Sequence, residues 1–207
     1  MPYVVGIAGA AGAGKSTLVR EALGMLPDAS AIHVDDYQRI TLEPVERLSH
    51  WLQDGADFDA LDIPVLGDHL ARLKRGESVT EPVRLKRIEA RKYILFETHF
   101  GRAHRETGAH IDLLVWLDTP FDVALARNVR SLLAPMLPGG GVTPGPERIA
   151  ALSKYLAKYL DAVRPLLEAQ ISMVSRDADI RLDGASMQMR LPYSCGMRYL
   201  RDYPETG

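Results

Sequence analysis

Cysteine is almost missing from this 207-residue sequence. The single Cys195 excludes an internal disulfide framework and a Cys-rich zinc site. Such sparse use of thiols fits a reducing, cytoplasmic setting. No uninterrupted apolar run approaches the roughly 18 residues of a membrane helix, so no membrane association is expected. Charge of one sign is not in excess either: 25 Lys and Arg stand against 27 Asp and Glu, a net of −2. A general nucleic-acid binder needs a basic surplus for the phosphate backbone, so no nucleic-acid partner is expected. The six histidines (33, 50, 69, 99, 104 and 110) show no H-E-x-x-H or related zinc spacing. A G-x-S-x-G elbow is absent, which leaves serine hydrolase chemistry without support.

What is present reads as an α/β protein. The length fits one domain, residues 1–207, carrying a lid and a small lobe. Residues 2–14 carry no charge, yet they lack the basic residues that precede a signal-peptide core and run straight into Gly14-Lys15-Ser16. They read as a buried strand, Tyr3–Ala8, and a glycine loop. Lys15–Leu26 follows as a helix, and Ala31–Val34 as a second strand. Pro44–Gln53 and Pro64–Lys74 each start with Pro and have Gly just past the end, which predicts two helices. Tyr93–Phe96 and Leu113–Leu117 are apolar runs closed by Glu97 and Asp118. Thr119-Pro120-Phe121-Asp122 predicts a capping-box start with Pro at the first helical position, and the helix runs to about Leu133. Residues 135–146 hold four prolines and four glycines and predict a mobile loop. Glu147–Ala169 reads as one long helix, and Ile180–Leu182 as a last strand. Tyr155 and Tyr159, four apart on that helix, are expected in packing.

Charge is distributed unevenly along this pattern. Residues 1–71 hold 11 acidic against four basic side chains, whereas residues 72–92 hold eight basic against three acidic. The second stretch is a solvated surface or a basic wall near a phosphate site.

The strongest motif is Gly9-Ala10-Ala11-Gly12-Ala13-Gly14-Lys15-Ser16, which matches G-x-x-x-x-G-K-[ST] in full. It follows a strand and opens a helix, the context in which backbone N–H groups and a helix N-terminus hold phosphates. Gly9, Gly12, Ala13, Gly14, Lys15, Ser16 and Thr17 are the candidate nucleotide contacts. Lys15 would reach the β- and γ-phosphates of ATP, and the Ser16 hydroxyl would ligate Mg²⁺. A GTPase would show a D-x-x-G switch and an N-K-x-D guanine clamp, and neither occurs. A small-molecule kinase needs a metal carboxylate, a base near the acceptor hydroxyl and a closing lid. Asp35, just after the second strand and beside Asp36, is the candidate base. Glu97 and Asp118 compete for the metal. The second stands beside a helix start, which tilts the choice to Glu97.

These residues resemble the uridine kinase and nicotinamide riboside kinase group of P-loop kinases, relatives of phosphoribulokinase and bacterial pantothenate kinase. The resemblance spans roughly residues 3–184. Gly6 through Leu18 is similar to the family's first strand and phosphate loop, and Ile32-His33-Val34-Asp35-Asp36-Tyr37 to its aspartate-bearing segment. Tyr93-Ile94-Leu95-Phe96-Glu97 resembles its third strand, and Ala126-Arg127-Asn128-Val129-Arg130 its lid entry. The sequence departs from the family with Thr98 after the metal Glu, with Arg127-Asn128 and Arg130-Ser131 in the lid, and with the Pro/Gly loop. Asp59-Ala60-Leu61-Asp62 matches the family's substrate motif in part.

The resemblance implies a three-layer α/β/α P-loop fold of the nucleoside-monophosphate-kinase type. Its mainly parallel sheet has about five strands, and the third strand lies next to the phosphate-loop strand. A substrate lobe covers about residues 36–90, and a lid about residues 127–147. Asp35 is implied as catalytic carboxylate, Ser16, Glu97 and Asp35 as the metal residues, and Lys15, Arg127 and Arg130 as the phosphoryl-transfer cations. Asp36, Tyr37, Asp62, His99, Arg102 and Arg105 are the candidates for the acceptor side. The expected activity is ATP- and Mg²⁺-dependent transfer of the γ-phosphate to a hydroxyl of a nucleoside or similar sugar-bearing molecule. The alternatives are a sugar, vitamin-precursor or antibiotic kinase, and a regulatory ATPase with no acceptor. A small-molecule acceptor is the expected partner, and a homodimer is an allowed state.

Overall fold

Apolar strands that face protein on both sides must be covered by helices, and the computed structural model has that arrangement. It describes residues 1–37, 45–136 and 145–186. Strands β1 (Tyr3–Gly9), β2 (Ala29–His33), β5 (Tyr93–Glu97), β6 (Leu113–Asp118) and β7 (Ile180–Asp183) form one parallel sheet in the order β2-β5-β1-β6-β7. The third long strand therefore lies against the phosphate-loop strand, with Ile7 opposite Glu97 and His33 opposite Glu97 on the other side. Alternate residues serve the two faces. Ala8, Ile94, Phe96, Leu114 and Trp116 pack with Leu66, Leu70 and Leu73 of helix α3 (Pro64–Lys74). Ile7, Leu95 and Leu117 pack with Val19 of helix α1 (Lys15–Met25). Burial on both faces explains why these strands read as continuous apolar runs. The chain has the three-layer α/β/α fold of P-loop nucleotide-binding proteins.

The remaining helices are α2 (Val45–Gln53), the short α4 (Arg105–Gly108), α5 (Phe121–Leu133), α6 (Pro146–Lys158) and α7 (Arg164–Val174). The expected long helix over 147–169 is a helical run broken by a π turn at Tyr159–Val163. Pro165 explains the break: its ring displaces the carbonyl of Asp161 and cannot donate to it, and the wider π turn absorbs the misfit. Tyr159 is buried in that turn, in the packing role expected of it. Sequence periodicity missed the two-residue strands β3 (Val79–Thr80) and β4 (Arg87–Ile88), an antiparallel hairpin too short to show alternation. The expected strand 31–34 ends at His33, because Val34–Asp36 winds into a 3-10 turn. Helix α5 begins one residue later than expected. Pro120 is its N-cap with no side-chain cap, and Thr119 Oγ1 donates to Ala13 O at 3.2 Å.

Among the described residues no helix is long and apolar enough to cross a membrane. Residues 38–44 of the expected substrate lobe, 137–144 of the expected lid and 187–207 lie outside the described residues.

Candidate active site

The carboxyl edge of the sheet gathers the loop after β1, the turn after β2 and the end of β5. Gly12 has φ +83, and a Cβ there would meet Ala124 O at 2.3 Å, so only glycine lets α5 pack this closely on the phosphate loop. Gly14, with φ +108, caps α1 and aims the N–H groups of its first turn into the loop. Lys15 is 5% exposed, and its Nζ donates to Gly9 O at 2.9 Å and Ala10 O at 3.1 Å. Thr17, on the same first turn, is buried.

Strand order places Glu97 beside this loop. Ser16 Oγ donates to Glu97 Oε1 at 2.9 Å, and His33 Nδ1 lies 2.6 Å from Glu97 Oε2. Burial pushes the Glu97 carboxyl up, but the His33 bond, the Lys15 charge and the Ser16 bond outweigh it and hold it below the usual range. Burial likewise pulls His33 down, and the bond to Glu97 and its charge outweigh that and raise it. Asp118 lies two strands away, exposed at the end of β6. Ser16 and Glu97 are hard oxygen donors already in contact, the kind of partial set that Mg²⁺ takes together with substrate phosphates. Among the described residues no group of three or more His, Cys, Asp or Glu is placed to hold a metal.

The two aspartates after β2 part company in the 3-10 turn. Asp35 is exposed and accepts from His99 Nε2 at 2.8 Å. The surrounding protein disfavours its charge, but His99, Lys15 and His33 prevail and lower its pKa to about 2. Asp36 is 6% exposed, lies 4.0 Å from Arg84 Nη2, and is pushed up by burial. The 3-10 turn, rather than strand alternation, sends the two side chains apart. Tyr37 hydrogen-bonds His69 Nδ1 at 2.8 Å, and burial raises its hydroxyl. Thr98 fits where the family often has Gly: its N–H donates to Ile7 O at 3.0 Å and its Oγ1 accepts from Phe100 N at 3.0 Å.

Several sequence candidates lie elsewhere. Arg127, expected at the phosphoryl group, bonds Ala13 O at 3.4 Å, Gly184 O at 2.8 Å and Ala185 O at 3.2 Å. It braces the loop through carbonyls, because its helix packs directly on Gly12. Arg130 is exposed. Arg102, expected at the acceptor, binds Asp179 Oδ2 at 2.6 Å and Asp177 O at 2.9 Å. Asp179 bonds the second residue of β6, so this contact sits toward the amino ends of the strands, away from the phosphate loop. Arg105 is exposed and bound to Asp59, also in a structural tie. Asp62 is exposed on the segment before α3.

The residues that sequence reading missed are His33, Glu81 and Arg84. Glu81, 2% exposed, accepts from the N–H groups of Val83, Arg84 and Lys86 and shapes the hairpin that carries Arg84. Its Glu-Pro start was the available signal for a turn.

Comparison with known proteins places this geometry. The family model described as 50S ribosome-binding GTPase matches residues 4–120, more than half of the chain. Uridine kinases of Salmonella paratyphi B and Salmonella typhimurium are 27% identical over 202 residues, covering 86% of this chain and 84% of each relative. A solved structure assigned as a uridine kinase, from Bacillus stearothermophilus, superposes with TM-score 0.52 at 16% identity, over 88% of this chain and 89% of that one. One assigned as a fructose transport system kinase, from Silicibacter, reaches 0.56 at 18% identity, over 87% and 89%.

Proposed function

For a chain that belongs to the P-loop family of the 50S ribosome-binding GTPase model, and by its length and fold to the uridine-kinase-like P-loop kinases, we propose an acceptor-dependent kinase reaction rather than a GTPase switch. The enzyme is a phosphotransferase with an alcohol group as acceptor. Our reading is that the donor is ATP with Mg²⁺, and that the acceptor is a nucleoside or similar sugar-bearing compound. The observation that carries it is the contact of Ser16 with Glu97, next to a second, exposed carboxylate on Asp35. A phosphate-loop hydroxyl, a buried carboxylate for the metal and an open carboxylate for the acceptor are the parts that phosphoryl transfer to a hydroxyl requires.

Each residue then has one task. The N–H groups of residues 12–17 hold phosphate oxygens. Lys15 exchanges the carbonyls of Gly9 and Ala10 for the phosphates and offsets their charge. Ser16 and Glu97 hold Mg²⁺, which when bound supplies neutralisation of the phosphate oxygens. Asp35 orients the acceptor hydroxyl and takes its proton. Arg130, exposed on the lid side, remains the candidate cation for the transferring group, while Arg127 keeps the loop in shape. Asp36, Tyr37 and His69 support the acceptor side.

The GTPase description of the family model favours a second reading, a nucleotide switch with no acceptor. ADP formation separates the two. With Mg²⁺ and ATP, a panel of nucleosides, sugars and vitamin precursors should contain a compound that raises ADP release at least about tenfold. Equal hydrolysis with and without every member of the panel overturns the kinase reading, whereas acceptor-dependent turnover that prefers GTP overturns only the choice of ATP as donor.

A further inference from the structure

His99 stands where the end of β5 meets the turn after β2, and it faces the carboxylate to which the proposed reaction gives the proton. Its mounting is rigid. The preceding Thr98 is fully buried and tied to Ile7 O and to the N–H of Phe100. The imidazole side chain is 12% exposed and lies 5.9 Å from the fully buried Phe100 ring, in a T-shaped contact. From that base Nε2 reaches Asp35 Oδ1 at 2.8 Å. Asp35 itself is weakly mounted: it sits on a three-residue 3-10 turn, and its side chain is 52% exposed. Among the described residues His99 is the hydrogen-bond partner of this carboxylate, and Oδ2 accepts no bond. An exposed aspartate without such a partner samples several rotamers, and a small misplacement of a reacting group is costly in rate.

We propose that His99 is a positioning residue for phosphoryl transfer: it donates Nε2–H to Asp35 Oδ1 and so presents Oδ2 to the acceptor hydroxyl. The inference rests on the kinase reading above. The acceptor O–H bond breaks as its proton passes to Oδ2, the acceptor oxygen bonds the γ-phosphorus, and the bond to the ADP oxygen breaks. His99 keeps its proton throughout. His33 holds Glu97 in the same way on the metal side, so each carboxylate of the site has its own imidazole.

The test compares His99→Leu, His99→Gln and Asp35→Asn, using the acceptor from the panel that gives the highest turnover. His99→Leu should lower kcat about 10- to 100-fold, with KM for ATP within about twofold. His99→Gln places an amide N–H near the position of Nε2 and should recover kcat to within about fivefold of wild type. A role in packing alone would lower thermal stability in both variants and would not separate them in kcat. Wild-type kcat in His99→Leu, or equal losses in the Leu and Gln variants, overturns the proposal. Should the Leu variant fail to fold, His99→Asn, which is polar but too short to reach Asp35, takes its place with the same expectation. Asp35→Asn separates the two levels of the argument. If it is inactive while His99→Leu is normal, the His99 role falls and the kinase reading stands. If Asp35→Asn turns over normally, or no panel member is phosphorylated, both fall. In ¹⁵N-histidine spectra without acceptor, Asp35→Asn should move the His99 Nε2 resonance, and an unmoved resonance also overturns the proposal.

Discussion

Two aspartates in succession have opposite surroundings, and this predicts opposite mutational behaviour. Asp35 is exposed, bonded to His99 and held as a carboxylate down to about pH 2, so it remains a base across any working pH. Its depressed pKa adds stability above the unfolded value of about 3.9, and that contribution fades as pH falls toward 2. Asp36 is buried near Arg84 and has little access to a ligand. Asp35→Asn removes the charge and the base at constant size. Acceptor-dependent turnover should fall about 10²- to 10⁴-fold, with ATP-analogue affinity little changed. Asp36→Asn should cost about tenfold or less in turnover and act on stability. Steady-state kinetics beside analogue binding check this, and a dead Asp36→Asn with an active Asp35→Asn would reverse the assignment. The resemblance already set Asp35 as the catalytic carboxylate. The physical reason the two differ is the turn that interrupts the strand at His33.

At the scale of elements, the hairpin β3–β4 is the part most dependent on one side chain. Its strands are two residues each, and Leu85 sits at φ +55, a region that apolar side chains rarely adopt. Glu81 offsets this by collecting three backbone N–H groups. Burial raises the Glu81 carboxyl, but those bonds prevail and lower it. Its contribution to stability is therefore present above the unfolded value of about 4.3 and is lost as pH falls through the folded value. Glu81→Gln keeps the size but loses the charge and should destabilise the protein by about 1 kcal/mol at pH 7. Urea titrations should show this difference shrinking as acid takes the pH below the ordinary glutamate range and Glu81 takes up its proton. A gap that stays constant with pH would mean that the carboxylate charge is not what holds the tip. The basic stretch 72–92 becomes clearer at this scale too. Arg72 and Arg75 pair with Glu77, Lys74 with Asp112 and Arg87 with Glu89, so much of it is a paired surface; Arg84 reaches toward the site.

For the whole molecule, the phosphate loop is bound into the fold from several sides. Ala13 O accepts from Thr119 and Arg127, a Cβ at Gly184 would meet Thr119 Oγ1 at 2.0 Å, and α5 lies against Gly12. A ligand that orders this loop therefore stabilises every layer that touches it. ATP with Mg²⁺ at 100 times its dissociation constant should add about 2.7 kcal/mol, a rise in Tm of about 5–10 °C for a chain of this size. GTP should give a smaller shift, since no guanine clamp occurs in the sequence. Lys15→Ala should remove most of the ATP shift, and it should also lower the unliganded Tm, because Lys15 holds two loop carbonyls. Differential scanning fluorimetry measures all three, and equal shifts for wild type and Lys15→Ala would remove the phosphate-loop assignment.

Local interactions were legible along the chain. The small residues from Gly9 to Gly14 and the helix start at Lys15 specify a phosphate loop within a few residues of one another, and the apolar runs of β1, β5 and β6 announce buried parallel strands. Pro64 and Gly76 bound α3 for equally local reasons. Strand order was not legible in the local pattern, and only the family resemblance implied it. Glu97 and Asp118 both close an apolar run, and only the placement of β5 between β1 and β2 brings Glu97 to Ser16 and His33. Arg102, Arg105 and Arg127 are chemically alike in a string of letters. Their partners lie 75 to 77, 46 and 57 to 114 positions away, and it is those distant carboxylates and carbonyls that turn three candidate ligand contacts into braces. A side chain's chemistry is local, but the groups that face it are set by chain crossings, and these follow from packing both faces of one sheet.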